Sequence, residues 1–213
     1  MNRVILAYSR LSRQLPAGLA AQWRERLGGA CAARLRGDAH MQAQTIAGVA
    51  LACRLLGAAA GREVAAAELR YTPRGKPSAP GLPEFSIAHA GSWVLCALAS
   101  EGAIGVDVEP LIAPEALPRW SRVFDAQERA AARTVRTALS IWTAKEAVLK
   151  AAGATQAEAL QVRVRGCRVE FRGRRWHCRR PRLVPRVMVS LVTARPVSRV
   201  ELLALPCDRL LRA

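Results

Sequence analysis

At 213 residues, 51% hydrophobic and 23% charged, the chain has a globular rather than a disordered composition and enough length for a real core, as one large domain or two small ones. Its formal net charge of +17, with arginine far outnumbering lysine, demands anionic company: nucleic acid, acidic protein surfaces, membranes and phosphorylated small molecules all qualify. Aromatic residues are only 5% and no basic stripe is interleaved with Phe or Tyr, so no motif supports nucleic acid.

The N-terminus, MNRVILAYSRLSRQLP, has an apolar run broken by Arg10 and Arg13, too short for a signal peptide, and reads as the first strand of a cytoplasmic protein. Residues 17 to 36 and 38 to 60 read as helices: Leu19, Trp23, Leu27 and Cys31, then Ile46, Val49, Ala50, Cys53 and Leu56, recur at helical spacing. Gly28, Gly29 and Gly37 mark the breaks. The longest uncharged stretches, 39 to 53 and 85 to 100, fall short of a bilayer span, so no transmembrane helix is expected. YTPRGKPSAPGLPEF, 71 to 85, is dense in Pro and Gly and reads as a loop or linker. FSIAHA and WVLCALAS are strand-like and joined across Gly91, and AIGVDVE follows the turn at Glu101 and Gly102, which suggests an antiparallel meander of three strands. Helical pattern returns from Phe124 to Val135 and from Ala138 to Ala151, ended by Gly153. The tail from 160 alternates, as hairpins with Arg on the outer face. The six cysteines (31, 53, 96, 167, 178, 207) have no metal spacing and read as reduced, mostly buried thiols. The order of elements is that of an α+β protein whose plan is used twice, without repeated sequence.

Two stretches carry chemistry. In IGVDVEP, 104 to 110, strand alternation puts Asp107 and Glu109 on one side and Val106 and Val108 on the other, towards a core. Two carboxylates side by side repel and resist desolvation unless water, a basic partner or a metal ion lies between them, and hard oxygen donors suit Mg2+. Taken alone, the pair also fits the solvated face of an edge strand. In SIWTAKEAVLKAAG, 140 to 153, Glu146 and Lys150 are four apart on one helix face, with Lys145 flanking, Trp142 one turn earlier and Ile141, Ala144, Val148 and Leu149 on the buried side. Such a Glu–Lys pair is by itself an ordinary helix stabiliser.

Together, G-V-D-V-E followed some 35 residues on by W-T-A-K-E-A-V-L-K resembles the signature of the 4′-phosphopantetheinyl transferases, in the larger single-chain group that modifies carrier proteins of peptide and polyketide synthases. The likeness extends upstream through GKP at 75 to 77 and FSIAHAGSWVLCAL at 85 to 98. The resemblance implies a monomeric pseudo-dimer of two α+β halves, 1–100 with coenzyme A-binding elements and 101–213 with the metal strand and catalytic helix, with the active site in the cleft between them. It implies coenzyme A as substrate, Mg2+ (or Mn2+) as cofactor, an acyl or peptidyl carrier protein, acidic around its modified serine, as partner, and no membrane. By the same resemblance Asp107, Glu109 and Glu146 bind the metal, and Glu146, Lys150 and Glu128 are catalytic. Lys76, His89, Lys145, Lys150 and Gln44 fall at coenzyme A-binding positions. The sequence departs from the family at Ala88, where a serine is usual, and at Gln44, in QTIAG, where an arginine is usual; Arg34, Arg36 or Arg54 are candidate substitutes. Two other readings stay open on the sequence: a non-catalytic relative that binds coenzyme A or carrier protein, motivated by Gln44 and Ala88, and a nucleic-acid-binding protein, motivated by charge.

Overall fold

A computed structural model describes residues 2–11, 15–111, 120–183 and 186–212. The chain runs β1 (Asn2–Arg10), α1 (Ala17–Arg26), α2 (Gly29–Ala32), α3 (Ala39–Ala60), β2 (Arg70–Tyr71), β3 (Pro77–Ser78), β4 (Phe85–Ala90), β5 (Trp93–Ala99) and β6 (Ile104–Pro110). It continues through α4 (Ala126–Ala131), α5 (Val135–Ala152), β7 (Arg163–Arg165), β8 (Arg168–Phe171), β9 (Arg174–Arg179), β10 (Val187–Thr193), β11 (Val197–Ala204) and α6 (Cys207–Arg212). Helices and strands are both abundant, as the α+β expectation requires.

One sheet has the strand order β11-β1-β5-β4 and is covered by α3; the other has the order β6-β10-β9-β8-β7 and is covered by α5. Each long helix is delimited by local chemistry. The Asp38 carboxylate accepts the Met41 N–H at the start of α3, and Gly61, at φ +66°, ends it in the left-handed region. Thr134 caps α5 in the same way, and Gly153, at φ +61°, ends it as expected, although the helix begins at Val135 and not at Ala138. By length and composition α3 could cross a membrane, which the count of uncharged stretches did not anticipate. Most of it is buried against β5, β4 and β1, the placement of a core helix.

A third apolar cluster lies between the sheets: Val4, Leu6, Leu95 and Ala97 from one side, Ile104, Val106, Val108, Val189 and Leu191 from the other. This packing overturns the expected three-strand meander. β4 and β5 pair, but β6 leaves them to pair antiparallel with β10, and crosses β4 with the Val106 N–H donated to the buried Ser86 Oγ at 3.1 Å. Ile104, Val106 and Val108 are buried by that crossing, each aliphatic side chain contributing roughly 1.5–3 kcal/mol. The first helical stretch is shorter than its periodicity suggested and breaks into α1 and the single turn of α2, and the stretch 124 to 135 shrinks to α4. The Pro/Gly-rich segment folds back on itself through the small β2–β3 ladder.

The tail forms the expected hairpins, with Val164, Val169, Phe171 and Trp176 inward and Arg163, Arg165, Arg168, Arg174, Arg175 and Arg179 exposed. Its last part returns to the first sheet: β11 pairs parallel with β1, α6 packs on α3, and Trp23 Nε1 of α1 donates to Leu211 O at 3.0 Å. A division of the chain at residue 100 is therefore crossed once by residues 197–212. All six cysteines are free; Cys31, Cys96 and Cys178 are buried, Cys53 and Cys207 half-buried and Cys167 exposed.

Candidate active site

The site begins with a glycine. Gly105 in β6 has no room for a side chain: a Cβ there would run into the Ala147 carbonyl and stand 2.7 Å from the Ala151 N. This close approach lets α5 lie along the Gly105, Asp107 and Glu109 face of β6. The helix runs opposite to the strand, so Trp142 meets Glu109, its Nε1 donating to Oε1 at 3.2 Å, while Lys150, two turns on, donates to Asp107 Oδ1 at 2.6 Å. Beneath Asp107, its register partner Ser190 on β10 shares a 2.8 Å hydrogen bond with Thr143 of α5, both fully buried.

Asp107 Oδ2 and Glu146 Oε1 are buried and have no hydrogen-bond partner. Burial raises the Asp107 carboxyl above its ordinary value, opposed by the Lys150 ammonium. Burial, then the charges of Asp107 and Glu109, pushes Glu146 up to about 7 against the pull of Lys150 and a hydrogen bond from Gln156. His89, exposed at the end of β4, is held below its ordinary value by partial desolvation and then by the positive charges of Lys150 and His40. Asp107, Glu109, Glu146 and Lys150 are thus brought to one place, with His89 within electrostatic reach. Among the described residues no three His, Cys, Asp or Glu side chains stand close enough to hold an ion as they are; Lys150 engages Asp107 and Trp142 engages Glu109. The two unpartnered carboxylate oxygens nevertheless fit a hard divalent cation, since burial without a donor or a cation is costly for them.

The other expected site residues have different occupations. Lys145 and Glu128 do not face this cluster. Both side chains are fully enclosed and paired at 2.9 Å; Lys145 also donates to Ala159 O at 3.1 Å and to Val162 O, and Glu128 accepts the Val164 N–H at 2.8 Å and the Asp125 N–H at 2.9 Å. A role for Lys145 on a phosphate, or for Glu128 in the chemistry, does not fit that placement: the pair joins α4, α5 and β7. Gln44 is also buried, and its amide donates to Gly91 O at 2.7 Å, fixing the turn that follows His89 instead of presenting a donor to a ligand. Lys76 donates to Ala151 O at 2.9 Å and to Glu84 at 2.6 Å, placing its charge at the C-terminal end of α5 and tying the GKP loop to it. Arg34 stacks on Tyr71, 4.5 Å from the ring centroid, and lies against Gly75 of the same loop. Gly105 and Gln156 escaped the sequence reading. A glycine inside a strand was the available signal for Gly105; Gln156, beyond the end of α5, gave none.

Residues 103–184, which contain the β6 strand and the α5 helix, match the family model described as the 4′-phosphopantetheinyl transferase superfamily. Among curated proteins, slr0495 of Synechocystis sp. is 38% identical over 97 residues, 40% of this chain and 39% of that protein. AcpT of Escherichia coli K12, named a 4′-phosphopantetheinyl transferase, is 34% identical over 105 residues, 45% of this chain and 53% of that protein. A Bacillus subtilis protein of the same name is 31% identical over 124 residues, covering 54% and 53%. The chain spans about half the length, or less, of these relatives.

Proposed function

We propose that the chain transfers the 4′-phosphopantetheine group of coenzyme A to a serine hydroxyl of an apo carrier protein, in an Mg2+-dependent reaction that releases 3′,5′-ADP. The observation that carries this reading is the meeting of Asp107, Glu146 and Lys150 at the β6–α5 contact, with two buried carboxylate oxygens left without a donor. The serine oxygen forms a bond to the β-phosphorus of coenzyme A, the bond from that phosphorus to the bridging oxygen breaks, and the bridging oxygen leaves on 3′,5′-ADP. Glu146, whose carboxyl is held near neutrality, takes the serine proton, directly or through water. Lys150 neutralises phosphate charge, and Lys76 and His89 lie on the β4 side where the rest of coenzyme A would be held. Asp107, Glu109 and Glu146 are the residues that would hold Mg2+, which when bound neutralises pyrophosphate charge. The two helix-backed sheets support a pseudo-dimeric arrangement, one half around α3 and one around α5 with β11 and α6 returned to the first, and a substrate cleft between them. Carrier proteins of peptide and polyketide synthases are the substrates the family resemblance favours.

The test is incubation of the purified chain with coenzyme A, Mg2+ and several apo carrier proteins, read by intact mass. A phosphopantetheine mass increment on at least one carrier, lost in Asp107→Ala and Glu109→Ala, is the expected result. Both variants should melt no lower than wild type, because each removes one of a set of repelling acids. No increment on any carrier would overturn the reaction, and near-wild-type turnover in either variant would overturn the site.

A further inference from the structure

Among the described residues β11 is the outer strand of the first sheet and is bonded to β1 on one side only. Their register runs unbroken from Arg3 opposite Arg199 to Tyr8 opposite Ala204. Leu205 donates its N–H to Tyr8 O at 2.9 Å. Backbone direction alternates along a strand, so the odd-numbered residues of β11 turn their N–H and C=O groups to β1, and Val200, Leu202 and Ala204 turn theirs outward. Among the described residues these three make no backbone hydrogen bond outside the β1 ladder. No proline interrupts residues 197–204, and Leu202 and Leu203 are 44% and 37% exposed. Arg199 and Glu201 are exposed, and neither joins an ion pair among the described residues.

We infer that this edge pairs antiparallel with the same edge of a second copy of the chain, centred on Val200. A two-fold interface must be self-complementary, and this register is. Val200 meets Val200 of the second copy, each giving both outward backbone groups, and Leu202 meets Ser198. Arg199 then falls opposite Glu201 twice, in the non-hydrogen-bonded positions where side chains approach most closely. Centring the pairing on Leu202 instead would put Glu201 against Leu203 and lose both charge pairs, so the charges select the register. The two four-stranded sheets become one continuous sheet. This dimer replaces the monomer implied by the family resemblance and is independent of the proposed transfer reaction.

Sedimentation velocity or light scattering on the full chain, from about 1 to 100 μM in about 0.15 M salt, measures the association. Dimer is expected to accumulate over this range. Val200→Pro removes one outward N–H that β1 does not use, and should abolish the dimer while leaving circular dichroism unchanged. Arg199→Glu or Glu201→Arg alone puts like charges opposite each other twice, and should raise the dissociation constant roughly tenfold or more; the double exchange of the two residues should return it towards wild type. A wild-type chain that stays monomeric throughout, leaving the edge to a strand of another protein, would falsify the inference. So would a dimer unmoved by Val200→Pro and by both single charge reversals, since it would use another surface.

Discussion

Glu146 is the residue where enclosure and chemistry meet. Its carboxyl is pushed up to about 7 by burial and by the Asp107 charge, whereas an unfolded chain titrates it near 4.5. Between those values the folded state holds more protons than the unfolded state, so this group's stabilising contribution is full below about 4.5 and is lost as pH rises to about 7. The loss is on the order of 1–3 kcal/mol, shared with Asp107. Urea denaturation in chelator at pH 5 and pH 8 should show it, and Glu146→Gln should flatten the difference and be the more stable protein at pH 8. Added Mg2+ should stabilise wild type at pH 8 more than the variant. Parallel pH dependences for the two proteins would remove Glu146 from the buried cluster. Gln44 carries the opposite lesson. Its position suggested a missing phosphate-binding arginine, but its amide is committed to Gly91 O, so a longer cation there would lose that bond before it could offer a new one.

At the scale of elements, α5 is set in place by two neighbours in sequence that face different ways. Glu146 and Lys150 turn to β6, and Lys145 turns to Glu128 and the carbonyls of Ala159 and Val162. Burial lowers the Lys145 ammonium below its ordinary value, and Glu128 is the partner that opposes this. Glu128→Gln should leave a buried ammonium facing an amide and cost on the order of 3 kcal/mol, and pairing it with Lys145→Met should recover much of that loss. Equilibrium denaturation checks both variants. If Lys145 instead bound a phosphate, the variants would raise the KM for coenzyme A with little change in stability. The sequence placed Lys145 beside Glu146 and Lys150, but Lys145 lies about 140° around the helix from Lys150, and only the packed neighbours decide which face is enclosed. β6 and α5 were legible because alternation, a cap and a terminal glycine are local signals. β11 was readable as a strand but not as the parallel neighbour of β1, because a pairing between residues 197–204 and 3–8 leaves no local trace. The same limit hid the departure of β6 from its expected meander: which sheet a strand joins depends on the apolar face it must bury, here the face of Val106 and Val108 against Leu95 and Ala97.

At the scale of the whole molecule, the charge of +17 has two consequences of opposite sign. Like charges crowd the surface, as on the outer face of β7 to β9, where Arg165 lies directly opposite Arg168, and their repulsion works against the compact state. Under the proposed reaction the same field would attract an acidic carrier protein and speed its encounter, whereas coenzyme A would be held mainly by short contacts to residues such as Lys76 and Lys150. Salt screens the long-range part first, because the Debye length falls to about 8 Å at 0.15 M while contacts within a partly enclosed site lie inside that distance. Raising NaCl from about 0.05 to 0.3 M should therefore raise the thermal midpoint by a few degrees and at the same time raise the KM for carrier protein several-fold, with a much smaller change in the KM for coenzyme A. Arg165 is partly neutralised by Asp125 at 2.7 Å and Arg175 lies opposite Glu170, so Arg168→Ser and Arg168→Ala are the substitutions that lower the repulsion without breaking a pair. These variants should reproduce the stabilising effect of salt in low-salt buffer. If salt shifts both KM values together, the carrier is not steered by the surface field, and if it leaves the midpoint unchanged, the arginine excess is already compensated within the folded chain.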